Sequence, residues 1–162
     1  MSLSFRLAKP TDLDLLRRWD DDPDVIASDP KDDWHWEEEL GREPEWGEFW
    51  IAEFDQRPIG FLQIIDAAAE ETHYWGDDVE PGAHAIDIWI GEPWARGLGH
   101  GTAMMRFAID RCFQHRNATV VLIDPLVDNR RAHTFYERLG FQFVEERDFG
   151  GDRCRVYRLD RP

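Results

Sequence analysis

The stretch Arg96-Gly97-Leu98-Gly99-His100-Gly101 constrains this chain most. It follows a strand-like run, His84–Gly91, and opens a helix-like run. Three glycines in five positions let the backbone turn tightly and come close to a ligand. A helix that starts immediately afterwards points unpaired N–H groups, and the positive end of its macrodipole, at whatever sits there. An anion, most often a phosphate, is the natural guest, so a phosphorylated cofactor is expected. The stretch lacks the Lys-Ser/Thr ending of a nucleotide P-loop. It also lies outside a first βαβ unit with an acidic residue about twenty positions on, as a dinucleotide fingerprint requires. Taken alone it also fits a glycine-rich β-to-α turn with no ligand, so other residues must decide.

The chain has 162 residues, 42% of them hydrophobic, which predicts a single globular domain over 1–162 with a substantial core. No run of eighteen apolar residues and no basic-then-apolar N-terminus occurs, so neither a membrane span nor a signal peptide is expected. Cys112 and Cys154 have neither a CxxC partner nor a metal-like spacing. They read as reduced structural thiols of a cytoplasmic protein with no metal site. The net charge of −15 is unevenly distributed. Residues 1–95 hold 25 acids and 7 Lys/Arg, whereas residues 96–162 hold 9 acids and 12 Arg. Asp66–Glu92 carries eight acids and no Lys or Arg. Such a division suits a cationic substrate beside an anionic cofactor, and it disfavours nucleic acid, which needs a basic face.

Ser4–Ala8 reads as a strand, followed by a helix over Asp12–Trp19 with Thr11 as its N-cap. Asp20–Asp33, broken by Pro23 and Pro30, is expected to be loop with little helix, and Trp34–Gly41 a helical turn. Phe49–Phe54 and Ile59–Asp66 read as strands joined by an Asp55–Pro58 turn, and Ala67–Gly82 as a loop or distorted hairpin. In His84–Gly91, Ile86, Ile88 and Ile90 share one face, with Asp87 and Trp89 on the other. A helix over about Gly99–Gln114 turns Met104, Met105, Phe107, Ala108 and Cys112 inward. Thr119–Ile123 reads as a buried strand, and Asn129–Leu139 as a helix stopped by Gly140. Phe141–Glu146 and Cys154–Leu159 close the chain as a strand pair around Asp148–Asp152. Alternating elements in the middle and antiparallel pairs at both ends predict an α/β domain of mixed α+β character with a mixed sheet. Among the tryptophans, Trp19 and Trp50 are expected to be core.

Two motifs in order narrow this further. Arg96-x-x-Gly99-x-Gly101 follows a strand, and Asn129-Arg130-Arg131-Ala132-His133-Thr134-Phe135-Tyr136 leads to Leu139-Gly140-Phe141. Together they resemble the Gcn5-related N-acetyltransferase (GNAT) superfamily over residues 84–141. The resemblance implies a central mixed, mostly antiparallel sheet with flanking helices, its parallel strands splayed at the cofactor site. It implies acetyl-CoA as cofactor, with the pyrophosphate on Arg96, Gly97, Leu98, Gly99, His100, Gly101 and Thr102. It also implies pantetheine contacts from Ile88, Trp89 and Ile90, and cofactor contacts from Asn129, Ala132 and Tyr136. Tyr136 becomes the general acid that protonates the leaving thiolate. An ammonium is not a nucleophile, so another group must take its proton, and the mid-strand carboxylate of Asp87 is the candidate.

A second string, Tyr74-Trp75…Pro81-Gly82…Ile86-Asp87 followed by Asp124-Pro125…Asn129…Tyr136, is similar to the aminoglycoside 6′-N-acetyltransferases. That similarity makes Asp87 the general base, Asp124 a binder of substrate amines, and Trp75 with Tyr74 a substrate-lining aromatic pair. A further substrate acid falls to Glu71 or Glu70, and a further aromatic to Trp34 or Trp36. The eight tryptophans and the acidic loops suit a polyamine on sugar rings independently. The expected partner is therefore a cationic amine small molecule, with no nucleic acid and no membrane, for a monomer or homodimer. Two other readings stand beside a 6′-N-acetyltransferase. One is a siderophore-type lysine N-acyltransferase of the same superfamily; the other is a non-catalytic acyl-CoA-binding module.

Overall fold

A computed structural model gives the fold and describes residues 2–28 and 34–162. Seven strands hydrogen-bond in the order β1 (Leu3–Leu7), β2 (Gly47–Phe54), β3 (Arg57–Asp66), β4 (Ala83–Ile90), β5 (Val120–Ile123), β7 (Asp152–Asp160) and β6 (Gln142–Phe149). The parallel pair is β4 with β5, a ladder that covers Ala83–Ala85 against Val120–Leu122. The helices are α1 (Leu13–Asp20), α2 (Pro23–Ser28), α3 (Trp36–Glu39), α4 (His100–Asp110) and α5 (Arg130–Arg138). This is the mixed α/β, mostly antiparallel sheet that the sequence predicts. The chain packs as two compact units, one of Met1–Gln63 with Asp87–Arg106 and one of Ile64–Ile86 with Phe107–Pro162.

The first unit is built on aromatic packing. Leu16, Trp19, Trp36, Ile51, Phe61 and Trp89 are buried together, with Trp34 and Phe49 half-buried against them. Trp34 stacks on Trp36 at 5.1 Å and 5°, and Phe61 meets Trp89 at 4.5 Å. Each such side chain contributes roughly 1.5–3 kcal/mol on full burial. Backbone spacing here depends on two glycines: a Cβ at Gly91 would lie 2.1 Å from the Trp19 ring, and one at Gly60 would lie 2.7 Å from the Trp89 carbonyl oxygen. Two-residue reversal at Asp55 and Gln56, with φ of 49° and 66°, joins β2 to β3.

Several expectations are corrected in this unit. The α1 N-cap is Asp12, not Thr11, after a 3-10 turn over Pro10–Asp12. Asp12 accepts the Lys9 N–H at 2.8 Å and both terminal nitrogens of Arg6 at 2.8 Å, a set that a threonine hydroxyl cannot match. Residues 23–28, expected to be loop, form α2. Asp22 caps it by accepting from the Asp24 and Val25 N–H groups, and Pro23 supplies a pre-set φ. Of the Asp20–Asp33 segment, residues 29–33 lie outside the described residues. Trp50 is half-buried rather than core, its indole N–H donating to Glu48 at 3.0 Å. Nor is the isoleucine face of β4 the only covered one. Trp89, on the Asp87 side, is buried, while Ile88 and Ile90 are half-buried.

In the second unit β5 is buried along its whole length, as an apolar β-branched run predicts. It pairs antiparallel with β7, which pairs antiparallel with β6 across a bulge between Phe143 and Glu145. The closing turn is Gly150-Gly151, so β6 runs on to Phe149. Ala108 and Cys112 are buried as expected, as are Met104 and Met105 in the first unit, whereas Phe107 is half-buried. The α4 helix ends in a wider π turn over Arg111–His115. Asn129 caps α5, its side-chain oxygen accepting the Ala132 N–H at 3.2 Å, and Gly140 closes that helix with φ of +97°.

Candidate functional site

Within the first unit, β4 ends at Ile90 and a 3-10 turn over Pro93–Ala95 leads into the glycine loop. Gly97 and Gly99 have φ of +72° and +85°, a region that side chains rarely enter. Nothing lies within 4 Å of a Cβ built at either position, so backbone conformation, not crowding, demands glycine there. Gly97, Leu98 and Gly99 are exposed; His100, Gly101 and Thr102 begin α4 and are half-buried. Gly101 sits in the first helical turn with no positive φ. The loop therefore presents backbone ahead of an eleven-residue helix whose first N–H groups have no partner within the helix. His100 packs its ring 4.8 Å from Phe54.

Arg96 does something the sequence did not reveal. Its guanidinium donates twice to the Ile90 carbonyl, from Nε at 3.0 Å and Nη2 at 2.9 Å. It also pairs with Asp24 at 2.7 Å and Asp22 at 3.1 Å. Burial pushes the Asp22 carboxyl up, but the Arg96 bond and the Asp24 and Val25 N–H groups outweigh it and hold it below its ordinary range. Arg96 is thus a clamp between the end of β4, the start of α2 and the loop, and the Ile90 carbonyl is committed to it. Glu92 makes a second clamp. It accepts from Arg18 at 2.5 Å and from the Trp19 indole at 3.2 Å, and the Arg18 bond in particular holds its carboxyl low. The Asp22-Pro23 pair was the one sequence signal for this arrangement, as an N-cap followed by a helix-starting proline.

Asp87 stands mid-strand on β4 and is half-buried. Two residues on, the buried Trp89 indole nitrogen has no hydrogen-bond partner among the described residues. Of the two aromatic candidates, Trp36 is 5% exposed and donates its N–H to Asp20. Trp34 is half-buried, so it alone of the pair keeps substantial exposed surface.

Within the second unit, Tyr74, Trp75 and Asp124 come together. The Tyr74 hydroxyl donates to Asp124 Oδ2 at 2.5 Å. Its ring stacks on Phe149 at 4.7 Å and 11°, and Trp75 meets Phe149 edge-on at 5.2 Å. Trp75 is 3% exposed, so it supports Tyr74 rather than offering a ring face, whereas Tyr74 is 47% exposed. Glu70 and Glu71 separate cleanly. Glu70 is buried and accepts from the Thr72 N–H and hydroxyl at 2.8 Å each and from the Tyr74 N–H at 3.2 Å. Glu70 therefore builds the turn, and Glu71 is the exposed acid of the two. Beside them a cleft of about 170 Å³ is lined by Trp75, Asp77, Asp78, Leu122, Arg147 and Val156 among others. Arg147 borders it, donating to the Trp75 carbonyl at 3.1 Å with its guanidinium 5.0 Å from the Phe149 ring. Phe149, read from sequence as a turn residue, is the platform of this cluster; an aromatic in an otherwise polar turn was its only signal.

Farther along the same unit, Asn129 accepts the Ala132 N–H on its side-chain oxygen to cap α5, which leaves its amide N–H groups as donors for a ligand. Ala132 follows in the first turn of α5. Tyr136 is buried, its ring 5.1 Å from Phe135 and 5.7 Å from Phe141.

The family model of the GNAT acetyltransferase domain matches residues 9–149, and the chain belongs to that family. The chain is 30% identical over 93 residues to aminoglycoside N(6′)-acetyltransferase type 1 of Klebsiella pneumoniae, a match that covers 57% of this chain and 46% of that protein. The chain thus spans about half the length of that curated relative. Its fold superposes with a TM-score of 0.85 on the aminoglycoside acetyltransferase AAC(6′)-Ib crystallised with coenzyme A and kanamycin, at 23% identity over 99% of this chain and 95% of that one. The spermidine N-acetyltransferase of Vibrio cholerae, crystallised with coenzyme A and spermine, superposes with a TM-score of 0.77 at 18% identity, over 98% and 95%. No helix of the described residues is long and apolar enough to cross a membrane.

Proposed function

We propose that this chain transfers the acetyl group of acetyl-CoA to a primary amine of a polycationic small molecule, with the 6′-amine of an aminoglycoside as acceptor. One observation carries the cofactor: an exposed loop held open by two left-handed glycines at the start of α4, in a chain of the GNAT family. The residues fit a pyrophosphate there, because backbone N–H groups and a helix N-terminus favour an anion and no side chain at Gly97 or Gly99 obstructs it. The bound group supplies an activated thioester. Asp87 accepts the proton of the acceptor ammonium, directly or through water. Backbone N–H groups of the Ile88–Ile90 segment polarise the carbonyl, and Tyr136 returns a proton to the sulfur that leaves. Asp124 and Glu71 pair with substrate ammonium groups, and the exposed Tyr74 ring lies along a sugar face. Trp34 lends a partly exposed indole.

Free thiol release from acetyl-CoA, measured with kanamycin, spermine, a lysine derivative and a basic peptide, tests this reading. Kanamycin turnover is expected. A lysine derivative as sole acceptor favours the siderophore-type reading, and acetyl-CoA binding with no acceptor favours a binding module. Asp87→Asn is expected to lower kcat by about 100-fold or more, the scale of a lost general base, with acetyl-CoA affinity unchanged. Full turnover in that variant removes Asp87 from the base role.

A further inference from the structure

We infer that Trp94 and Arg57 form the seat for the adenosine 3′-phosphate end of the cofactor, the indole as a stacking face for the base and the guanidinium as the partner of the third phosphate. The inference rests on the reading of the glycine loop as the pyrophosphate site. A single exposed ring is ordinary on a protein surface. Three observations set this one apart. Of the eight tryptophans Trp94 alone is exposed, at 43%, and it keeps that exposure with Arg57 already lying over its ring at 4.4 Å. The Arg57 guanidinium has no carboxylate partner among the described residues. Glu92 feels its charge, but that carboxylate is already held by Arg18 and the Trp19 indole. The pair also stands beside the loop. Trp94 is three residues before Gly97, so at most roughly 11 Å separates their Cα atoms. From the other side, Phe54 at the end of β2 packs on His100 at the start of α4, and Arg57 follows three residues later.

The backbone that carries the indole is fixed in advance. Trp94 sits in the 3-10 turn between the two clamps already described, Glu92 before it and Arg96 after it. The Ala95 N–H donates to the Glu92 carbonyl and the Arg96 N–H to the Pro93 carbonyl, and Ala95 is fully buried beneath. A ligand that meets this turn therefore has little backbone to order on binding. The chemistry of the pair fits the far end of coenzyme A. Any base has a π-face that an indole can cover, and a guanidinium joins such a stack by cation–π attraction. A guanidinium over a ring engages that ring through its face, and its N–H donors lie in its own plane. Those donors suit a phosphate, which arginine binds in bidentate fashion. A ligand with a pyrophosphate on the loop, a purine on Trp94 and a further phosphate on Arg57 has the composition of an adenosine 3′-phosphate 5′-diphosphate.

Isothermal titration of the full chain tests this independently of turnover. The probes are CoA, dephospho-CoA, which lacks the 3′-phosphate, and pantetheine, which lacks the whole nucleotide. In the wild type, dephospho-CoA is expected to bind about tenfold more weakly than CoA, the scale of one charge-assisted contact, and pantetheine weaker still. Arg57→Gln is expected to weaken CoA about tenfold and dephospho-CoA less than about twofold, so that the two converge. Trp94→Leu is expected to weaken both nucleotides about fivefold or more, with pantetheine unaffected. Equal wild-type affinities for CoA and dephospho-CoA overturn the phosphate role of Arg57. So does an Arg57→Gln variant in which the two fall equally or not at all. Unchanged nucleotide affinities in Trp94→Leu overturn the stacking role. Pantetheine that binds the wild type as tightly as dephospho-CoA overturns the reading of the loop as a pyrophosphate site, and this inference with it.

Discussion

The glycine-loop region and the Tyr74 region reach order by different means. In the first, the main chain itself is the working part, and its shape is set by space and dihedrals. Gly91 lets the strand exit touch the Trp19 ring, Gly97 and Gly99 take left-handed turns, and charged side chains such as Arg96 and Glu92 hold the surroundings. In the second, side chains are the working part, and hydrogen bonds join Glu70 to Tyr74 and Tyr74 to Asp124. A region built on backbone fit tolerates polar change poorly only at its clamps, but tolerates no added methyl at its contacts. A region built on a polar relay behaves in the opposite way.

The largest expected effect tests the first half of that contrast. Gly91→Ala puts a Cβ inside the Trp19 ring contact. Overpacking of this kind costs roughly 1–3 kcal/mol, and a buried ring with no room to move places the loss at the upper end or beyond. Thermal unfolding should show it as a large fall in Tm; an unchanged Tm would mean the strand exit relaxes freely. A smaller effect tests the second half. Glu70→Gln keeps the size of the side chain and halves its acceptor oxygens, so a loss of about 1–2 kcal/mol is expected. Denaturant unfolding measures it, and the acceptor KM should rise with it. A stability loss with no KM change would separate the Glu70 turn from the orientation of Tyr74.

The smallest effect is an acid limb in the first unit. Burial pushes the Asp12 carboxyl up, but the Arg6 bonds and the Lys9 N–H outweigh it and leave it below its ordinary range. A depressed folded-state value contributes stability that is present above the unfolded value. That stability is lost as pH falls below about 4 and passes through the folded value. Asp12→Asn should flatten that limb in a pH series of unfolding midpoints. A limb of the same slope in the variant would assign it to other acids.

Much of this arrangement was legible beforehand because it is local. The period of β4, the glycine loop, the buried run of β5 and the Asn129-to-Gly140 helix are each written within a few residues of themselves. What was missed is relational. The sequence offers Thr11 as the cap of α1, yet the N-cap position falls to Asp12, whose carboxylate is engaged by Arg6 arriving from β1. Arg96 looks like a charge for an anion until Asp22, Asp24 and the Ile90 carbonyl surround it. Glu70 and Glu71 are indistinguishable as neighbours in a string, yet one is buried in its own turn and the other is exposed. Phe149 became a platform only because β7 returns beside β6 and Tyr74 settles on it.

By itself, the sequence determined the order of elements, the left-handed loop ahead of α4 and the family of the fold, because dihedral preference and hydrophobic period act over a few residues. Tertiary structure decided which charges are clamps and which carboxylates face outward. An ionisable side chain takes its role from the groups that reach it, and for Arg96 one of those groups, Asp22, lies 74 positions away in the chain.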